Sequence, residues 1–349
     1  MATTLTQAQL KETCKMDTGK TKASLFNFVV YAPDERREEY LRRLVDLIIG
    51  RFPCRVLFVR ALEKEGEDQF NATFEEKAEG PIVCDFIEIT ASGQHLSHVP
   101  FYLLPHLVPD RPLFLLWGQD PTLDSHIFPM ISKYADRIIF DSDCSENIAT
   151  FCRQMARKMD EIHTDVVDLN WLRISGWREA MSQVFDTEHL IHQLKNAKEM
   201  HIVYNKKESV PIIHQETPSL YFQAWLAERM DWKYIAVESL SDPIKIVYGT
   251  EESTLNVTIT SSSSEKLPAG AITSLEIESI GEHLYHIECR EETPKQLKVF
   301  TSCHETCDLP YTIPLLTSGW GSTFAREVLY APRSEHYDKM LKSLVNEEL

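Results

Sequence analysis

SLFNFVVYAPDERREEYLRRLVDLIIGRFPCRVLFVRAL, residues Ser24 to Leu62, decides the fold class. Ser24–Tyr31 is a short apolar run rich in aromatic and β-branched residues and reads as a strand. Pro33-Asp34-Glu35 starts a helix, because Tyr40, Leu41, Leu44, Val45 and Ile48 then recur at helical spacing. Its other side carries Arg36, Arg37, Glu38, Arg42 and Arg43 and reads as a solvated face, since acids are interleaved with the bases. Gly50 ends the helix, and Cys54–Leu62 is a second strand, so the stretch is a β-α-β unit.

The same alternation continues outward. Phe70–Lys77 and Ile82–Thr90 form an expected antiparallel pair about Glu79-Gly80-Pro81, followed by a short helix near Ser97–Leu107. Leu113–Trp117 has no polar alternation and reads as a strand buried on both faces, with a short helix at Ile127–Tyr134 and a short strand at Arg137–Phe140 after it. Asp143 and Glu146 mark a helix start that runs through Phe151, Met155 and Ile162. An α/β fold is expected: an N-terminal mixed, mainly parallel sheet with flanking helices over residues 23–165, preceded by a flexible arm over 1–22. Residues 166–195 read as linking or flanking helices. Residues 196–349 read as a C-terminal α+β domain, in which the helix from Thr217-Pro218 precedes a run of strands from Lys233 to Thr301. Thr260–Gly270 is a polar loop between two of those strands, and helices at Ser322–Tyr330 and Glu335–Val345 close the chain.

Within the linking segment, DLNWLRISGWREAMSQVF (Asp168–Phe185) places Trp171, Ile174, Trp177, Met181, Val184 and Phe185 in one arc of a single expected helix. Arg178 falls inside that arc and Arg173 at its edge. A buried guanidinium needs a carboxylate, phosphate or carbonyl partner. Two readings follow: a core helix with its arginine paired internally, or a helix that also presents an anion or partner contact.

The formal charge of −17 argues against general nucleic-acid or anionic-membrane binding, which need a basic surface. Residues 1–22 are polar without an apolar signal core, and no run approaches the roughly 20 apolar residues that span a bilayer, so a cytoplasmic protein is the expectation. The eight cysteines are scattered. Cys303 and Cys307 form the one close pair, a candidate redox bridge; no second pair is spaced to complete a zinc site.

Glycine-rich phosphate signatures are missing, as are the common hydrolase, metalloprotease and deaminase motifs, so no cofactor and no catalytic set is expected. Trp117, Asp120, Asp141 and Ser142 follow expected strands and could share one sheet edge as a pocket, with Arg173 or Arg178 facing the acids. The competing reading is ordinary turn and cap chemistry.

Five segments together resemble the glucose-6-phosphate dehydrogenase assembly protein (OpcA) family. They are Phe26–Val59, His106–Pro121, Tyr134–Ser142, Tyr221–Trp232 and, most specifically, DLNWLRISGWRE at Asp168–Glu179. Family members commonly carry paired tryptophans where this chain has Trp117-Gly118, and serine where it has Cys54. The resemblance implies a non-catalytic assembly factor or allosteric activator of glucose-6-phosphate dehydrogenase in the oxidative pentose phosphate pathway, with that enzyme as partner. It marks Asp168, Trp171, Arg173, Trp177, Arg178 and Glu179 as the motif to watch. The alternative is a small-molecule sensor, or an enzyme acting on a sugar phosphate or nucleotide at the sheet edge.

Overall fold

The computed structural model describes residues 24–62, 68–79, 82–123, 125–161, 164–303, 306–315 and 334–346. The expected arm over 1–22 and the expected helix at Ser322–Tyr330 lie outside them. The chain divides into two compact units, one drawn from Met1–Ser145, Ile162–Val167 and Ala325–Arg333, the other from Glu146–Glu161, Asp168–Phe324 and Ser334–Leu349.

The first unit is built on a seven-stranded sheet. Its strands are β1 (Asn27–Ala32), β2 (Arg55–Leu62), β3 (Phe70–Glu79), β4 (Ile82–Ser92), β5 (Leu113–Trp117), β6 (Arg137–Phe140) and β7 (Asp165–Asp168), in the order β3-β4-β2-β1-β5-β6-β7. The pairs β4/β2, β2/β1, β1/β5 and β5/β6 are parallel, and β3 runs antiparallel to β4, so the sheet is mainly parallel as the β-α-β reading required. Every residue of β1 and of β5 is buried, which is why neither strand alternates in sequence.

Helix α1 (Glu35–Ile49) connects β1 to β2 and buries Leu41, Leu44, Val45, Ile48 and Ile49. Its first turn is acidic and it ends at Gly50. Opposite that stripe, Glu38, Arg42, Arg60 and Glu88 form a half-exposed ion-pair chain at 2.7–3.4 Å. Short helices α2 (Val99–Leu103) and α3 (Phe128–Ser132) bridge to β5 and β6. Asn27, only 1% exposed, accepts from the Val108 N–H at 2.7 Å and donates to the Val108 carbonyl at 3.0 Å, pinning the approach to β5.

The second unit holds a nine-stranded sheet of β8 (Ala197–Asn205), β9 (Lys233–Ser239), β10 (Ile244–Gly249), β11 (Thr254–Ser262), β12 (Ile272–Ser279), β13 (Leu284–Cys289), β14 (Gln296–Cys303), β15 (Thr306–Cys307) and β16 (Tyr311–Pro314). The order is β15-β14-β13-β12-β8-β11-β10-β9, with β16 also on β14; β8/β11 is parallel and the other pairs are antiparallel. Its helices are α4 (Ile148–Glu161), α5 (Leu169–Arg173), α6 (Ser175–Val184), α7 (Glu188–Lys195), α8 (Thr217–Met230) and α9 (Glu335–Asn346). Helix α9 packs against both α4 and α8. Residues Thr217–Ala227 of α8 are buried without exception, which explains a helix that is apolar nearly all round. Inside that core the Tyr248 hydroxyl donates to Gln223 Oε1 at 2.7 Å.

The segment read as one helix over Asp168–Phe185 is two. Ile174, at φ −90° and ψ 2°, separates α5 from α6. Periodicity survives such a break, because a single non-helical residue changes the axis while keeping the apolar side chains on the covered side.

Candidate functional site

In the first sheet the chain leaves β1 toward β2 and β4, then returns to its other side at β5. Ligands bind open α/β sheets at such a reversal, beyond the carboxyl ends of the strands. The expected sheet-edge residues gather around this place, and each is used in packing or turn formation. Trp117 is 1% exposed, stacked on Tyr31 at 4.1 Å with an interplanar angle of 11°, and met edge-on by Phe128 at 5.1 Å. The next residue is glycine because the backbone closes on β1: a Cβ at Gly118 would lie 2.6 Å from both the Tyr31 carbonyl and Leu41. Asp120 accepts from the Thr122 N–H at 2.8 Å and so makes a turn. Asp141 is fully buried and accepts from the Asp143 N–H at 3.2 Å, opening a single 3₁₀ turn that contains the buried Ser142.

The cation for Asp141 is Arg37, not Arg173 or Arg178 as the edge reading had it. Arg37 is 6% exposed, which also corrects its place on a solvated face. It sits one turn before the apolar stripe, where helical spacing alone does not separate a buried flank from an exposed one. Burial alone would lower its pKa; Asp141, with smaller help from Cys144, Tyr40 and Asp143, outweighs that and raises it further above the ordinary arginine value.

At the N-terminus of α1 Asp34 Oδ1 accepts from the Arg37 N–H at 2.8 Å, and Glu35 and Glu38 fill the first turn. In dinucleotide-binding sheets this helix end, after a glycine-rich turn, holds the pyrophosphate. Here the chain supplies its own carboxylate, and the turn reads Ala32-Pro33-Asp34.

The Trp–Arg motif is largely internal to the second unit. Trp171 and Trp177 are 1% and 3% exposed, and Asp168 is fully buried. The Arg178 guanidinium lies 3.6 Å over the Trp171 ring, and its Nη2 donates to the Trp171 carbonyl at 3.4 Å. Arg173 donates to Asn170 Oδ1. Arg173, Arg178 and Glu179 are half-buried. Around the indole, Tyr337 packs at 5.6 Å, and burial, with Asp168 adding, pushes its phenol well above the ordinary range. Burial raises the nearby Cys152 thiol to about 12.

Arg173 and Trp177 also look into a cavity of about 270 Å³. Its floor is Ile174, Trp177, Leu267 and Ile272, all buried. Lys266 and Lys295 are exposed and stand at the mouth. One wall is the loop read as an ordinary polar connection. Asn205, fully buried, holds it: its Nδ2 donates to the carbonyls of Ser264, Leu267 and Pro268 at 2.9–3.1 Å, and its Oδ1 accepts from the Ser264 N–H at 2.7 Å. Gly270 has φ +72°, and a Cβ there would lie 3.1 Å from the Gln215 carbonyl. Neither Asn205 nor the lysines were singled out by sequence. The one available signal was Leu267-Pro268-Ala269-Gly270, an apolar close to an otherwise polar loop.

Cys303 and Cys307 lie on the β14/β15 hairpin, where the register sets Ser302 opposite Cys307 and Cys303 opposite Thr306. Cys303 Sγ is 3.0 Å from Thr306 Oγ1. The sulfurs that come near each other are Cys54 and Cys84, 3.8 Å apart and buried, which parallel pairing of Arg55 with Asp85 makes neighbours. Hydrogen bonding with Cys84, together with burial, drives the Cys54 thiol far above its ordinary range.

Among the described residues no group of three or more His, Cys, Asp or Glu side chains is placed to hold a metal, and no helix is long and apolar enough to cross a membrane.

Two solved structures share the layout. A probable oxidoreductase, yhhX, superposes with a TM-score of 0.50 at 10% identity, covering 93% of this chain and 95% of its own. The transcriptional regulator Gal80p from Kluyveromyces lactis does so with a TM-score of 0.51 at 6% identity, covering 98% and 94%. At such identities the likeness concerns the fold alone. Among sequence relatives, a protein of Nostoc punctiforme named "Putative OxPP cycle protein OpcA" is 24% identical over 205 residues, covering 57% of this chain and 42% of that protein. One of the same name from Synechococcus elongatus is 22% identical over 242 residues, covering 66% and 52%. The chain thus spans about half the length of the curated relatives it matches. The family model described as glucose-6-phosphate dehydrogenase subunit N-terminal domain matches residues 45–157, and that for the C-terminal domain matches residues 164–307. With both matches in order along most of its length, the chain belongs to the OpcA family of glucose-6-phosphate dehydrogenase subunit proteins.

Proposed function

We propose that this protein is a non-catalytic assembly factor or activator of glucose-6-phosphate dehydrogenase, working in the cytoplasm in the oxidative pentose phosphate pathway. Family membership supports the pathway and the partner. The observation that carries the non-catalytic part is the phosphate end of the first sheet. An α/β scaffold like those of oxidoreductases has its helix N-terminus capped by Asp34, with Glu35 and Glu38 beside it, and its crevice filled by Trp117, Tyr31 and the Arg37–Asp141 pair. A pyrophosphate there would meet three carboxylates instead of free N–H groups.

The motif indoles are too buried to touch a partner, so any contact made from the motif falls to Arg173, Arg178 and Glu179. Mixing the full chain with the cognate dehydrogenase tests the reading. Sedimentation should show a complex, and the enzyme's oligomeric state or kinetics should change. An unaltered dehydrogenase with no complex at micromolar concentrations overturns it.

A further inference from the structure

The cavity beneath Arg173 and Trp177 belongs to neither the motif core nor the sheet edge. Its walls are fixed in advance. Asn205 clamps the loop that supplies Leu267 and Gly270, and across the opening the Leu315 N–H donates to the Lys295 carbonyl at 2.8 Å. Its chemistry is divided: the floor is apolar, and the cations Arg173, Lys266 and Lys295 line it. No Asp or Glu is among the described lining residues, in a chain whose formal charge is −17. Lys266 has only an exposed partner, Glu291, at 3.3 Å, a pairing weak enough to be exchanged for a ligand. The volume of about 270 Å³ falls at the lower end of ligand sites.

The geometry points to a binding site for a small organic anion, in which one ring or short apolar chain rests on Trp177, Ile174 and Ile272 while a carboxylate or phosphate head meets Lys295, Lys266 and Arg173 at the mouth. A neutral ligand would leave the cations without a counter-charge, and a bare inorganic anion would leave the floor wet. The site lies wholly within the second unit and is a regulatory-ligand site, separate from the dehydrogenase contact proposed above.

Titration calorimetry on the full chain, with no dehydrogenase present, tests this. The probes are benzoate, phenyl phosphate and hexanoate, with benzyl alcohol as neutral counterpart. At least one anion should bind at a single site, with benzyl alcohol at least about tenfold weaker and binding falling as salt rises. Preference for benzoate or phenyl phosphate identifies the head group. Lys295→Met and Arg173→Met should each weaken binding by about tenfold, and Ala269→Leu should abolish it by filling the floor. Should Ala269→Leu fail to fold, the two charge variants decide. No heat from any of the three anions up to roughly 10 mM, equal binding of benzyl alcohol, or affinities indifferent to the variants overturns the inference.

Discussion

The Arg37–Asp141 pair offers the sharpest test of how the first unit is held together. Arg37→Met keeps most of the side chain's apolar stem and its backbone bond to Asp34, and removes the charge. Asp141 is then left fully buried without its cation. Breaking a buried pair from one side costs about 3–5 kcal/mol, because the surviving charge has lost both water and partner. The position of Arg37 over the Tyr40 ring, at 5.1 Å, puts the expected loss toward the upper half of that range. Asp141→Asn should cost a similar amount while retaining an acceptor for the Asp143 N–H. With both changes together neither charge remains, and stability should return to within about 1–2 kcal/mol of the parent, a coupling of at least about 2 kcal/mol. Urea unfolding measures the totals, and hydrogen exchange of β1 and β5 peptides assigns the loss to this unit. Single variants costing less than about 1 kcal/mol, the level of an exposed ion pair, or losses that simply add in the double variant, would refute the reasoning.

Arg178→Met should lower stability by about 1–2 kcal/mol through loss of the cation–π contact with Trp171, and leave dehydrogenase binding by the folded fraction intact; lost binding at unchanged stability would move that side chain to the interface. Alkylation of the native chain followed by mass spectrometry should label exposed Cys307 well before buried Cys54, Cys84 and Cys152, and early labelling of Cys152 would contradict its packing. The Glu216 carboxyl is pushed up by burial, but hydrogen bonding from His214, its own backbone contact and nearby positive charge outweigh this and hold it below its ordinary value. Its stabilising contribution is therefore complete above the ordinary carboxylate range and is lost as pH falls through the depressed value. His214→Ala should make acid-side unfolding less steep, and an unchanged acid limb would rule the contact out.

Much of the architecture could be read from local pattern. Strand–helix–strand alternation to Phe140 required a parallel sheet, because parallel neighbours need crossovers and those crossovers bury both faces. The clustered strands after Lys233 likewise required antiparallel pairing. The candidate sites were far less legible. Trp117, Asp120, Asp141 and Ser142 were rightly placed near one strand edge, yet whether that edge is open depends on Arg37, which comes from 104 residues away. The redox pair suggested by five-residue spacing, Cys303 and Cys307, is set one register apart on a hairpin, while register between non-adjacent segments makes neighbours of Cys54 and Cys84.

Local sequence carries what neighbours along the chain impose: the period of apolar residues, the caps, the turns and the spacing of Asp168, Trp171, Arg173 and Trp177 that marks the family. It left open which charges are buried and where the chain is hollow. Those are properties of segments that meet only after folding. Arg173 and Trp177 in the helices, Leu267 and Gly270 in a loop and Lys295 before β14 enclose one cavity, and no window of sequence contains them together. Burial energies depend on what surrounds a group from every side, so the same arginine spacing allows Arg37 to be a sealed ion pair, Arg178 a lid on an indole, and Arg173 the wall of a binding site.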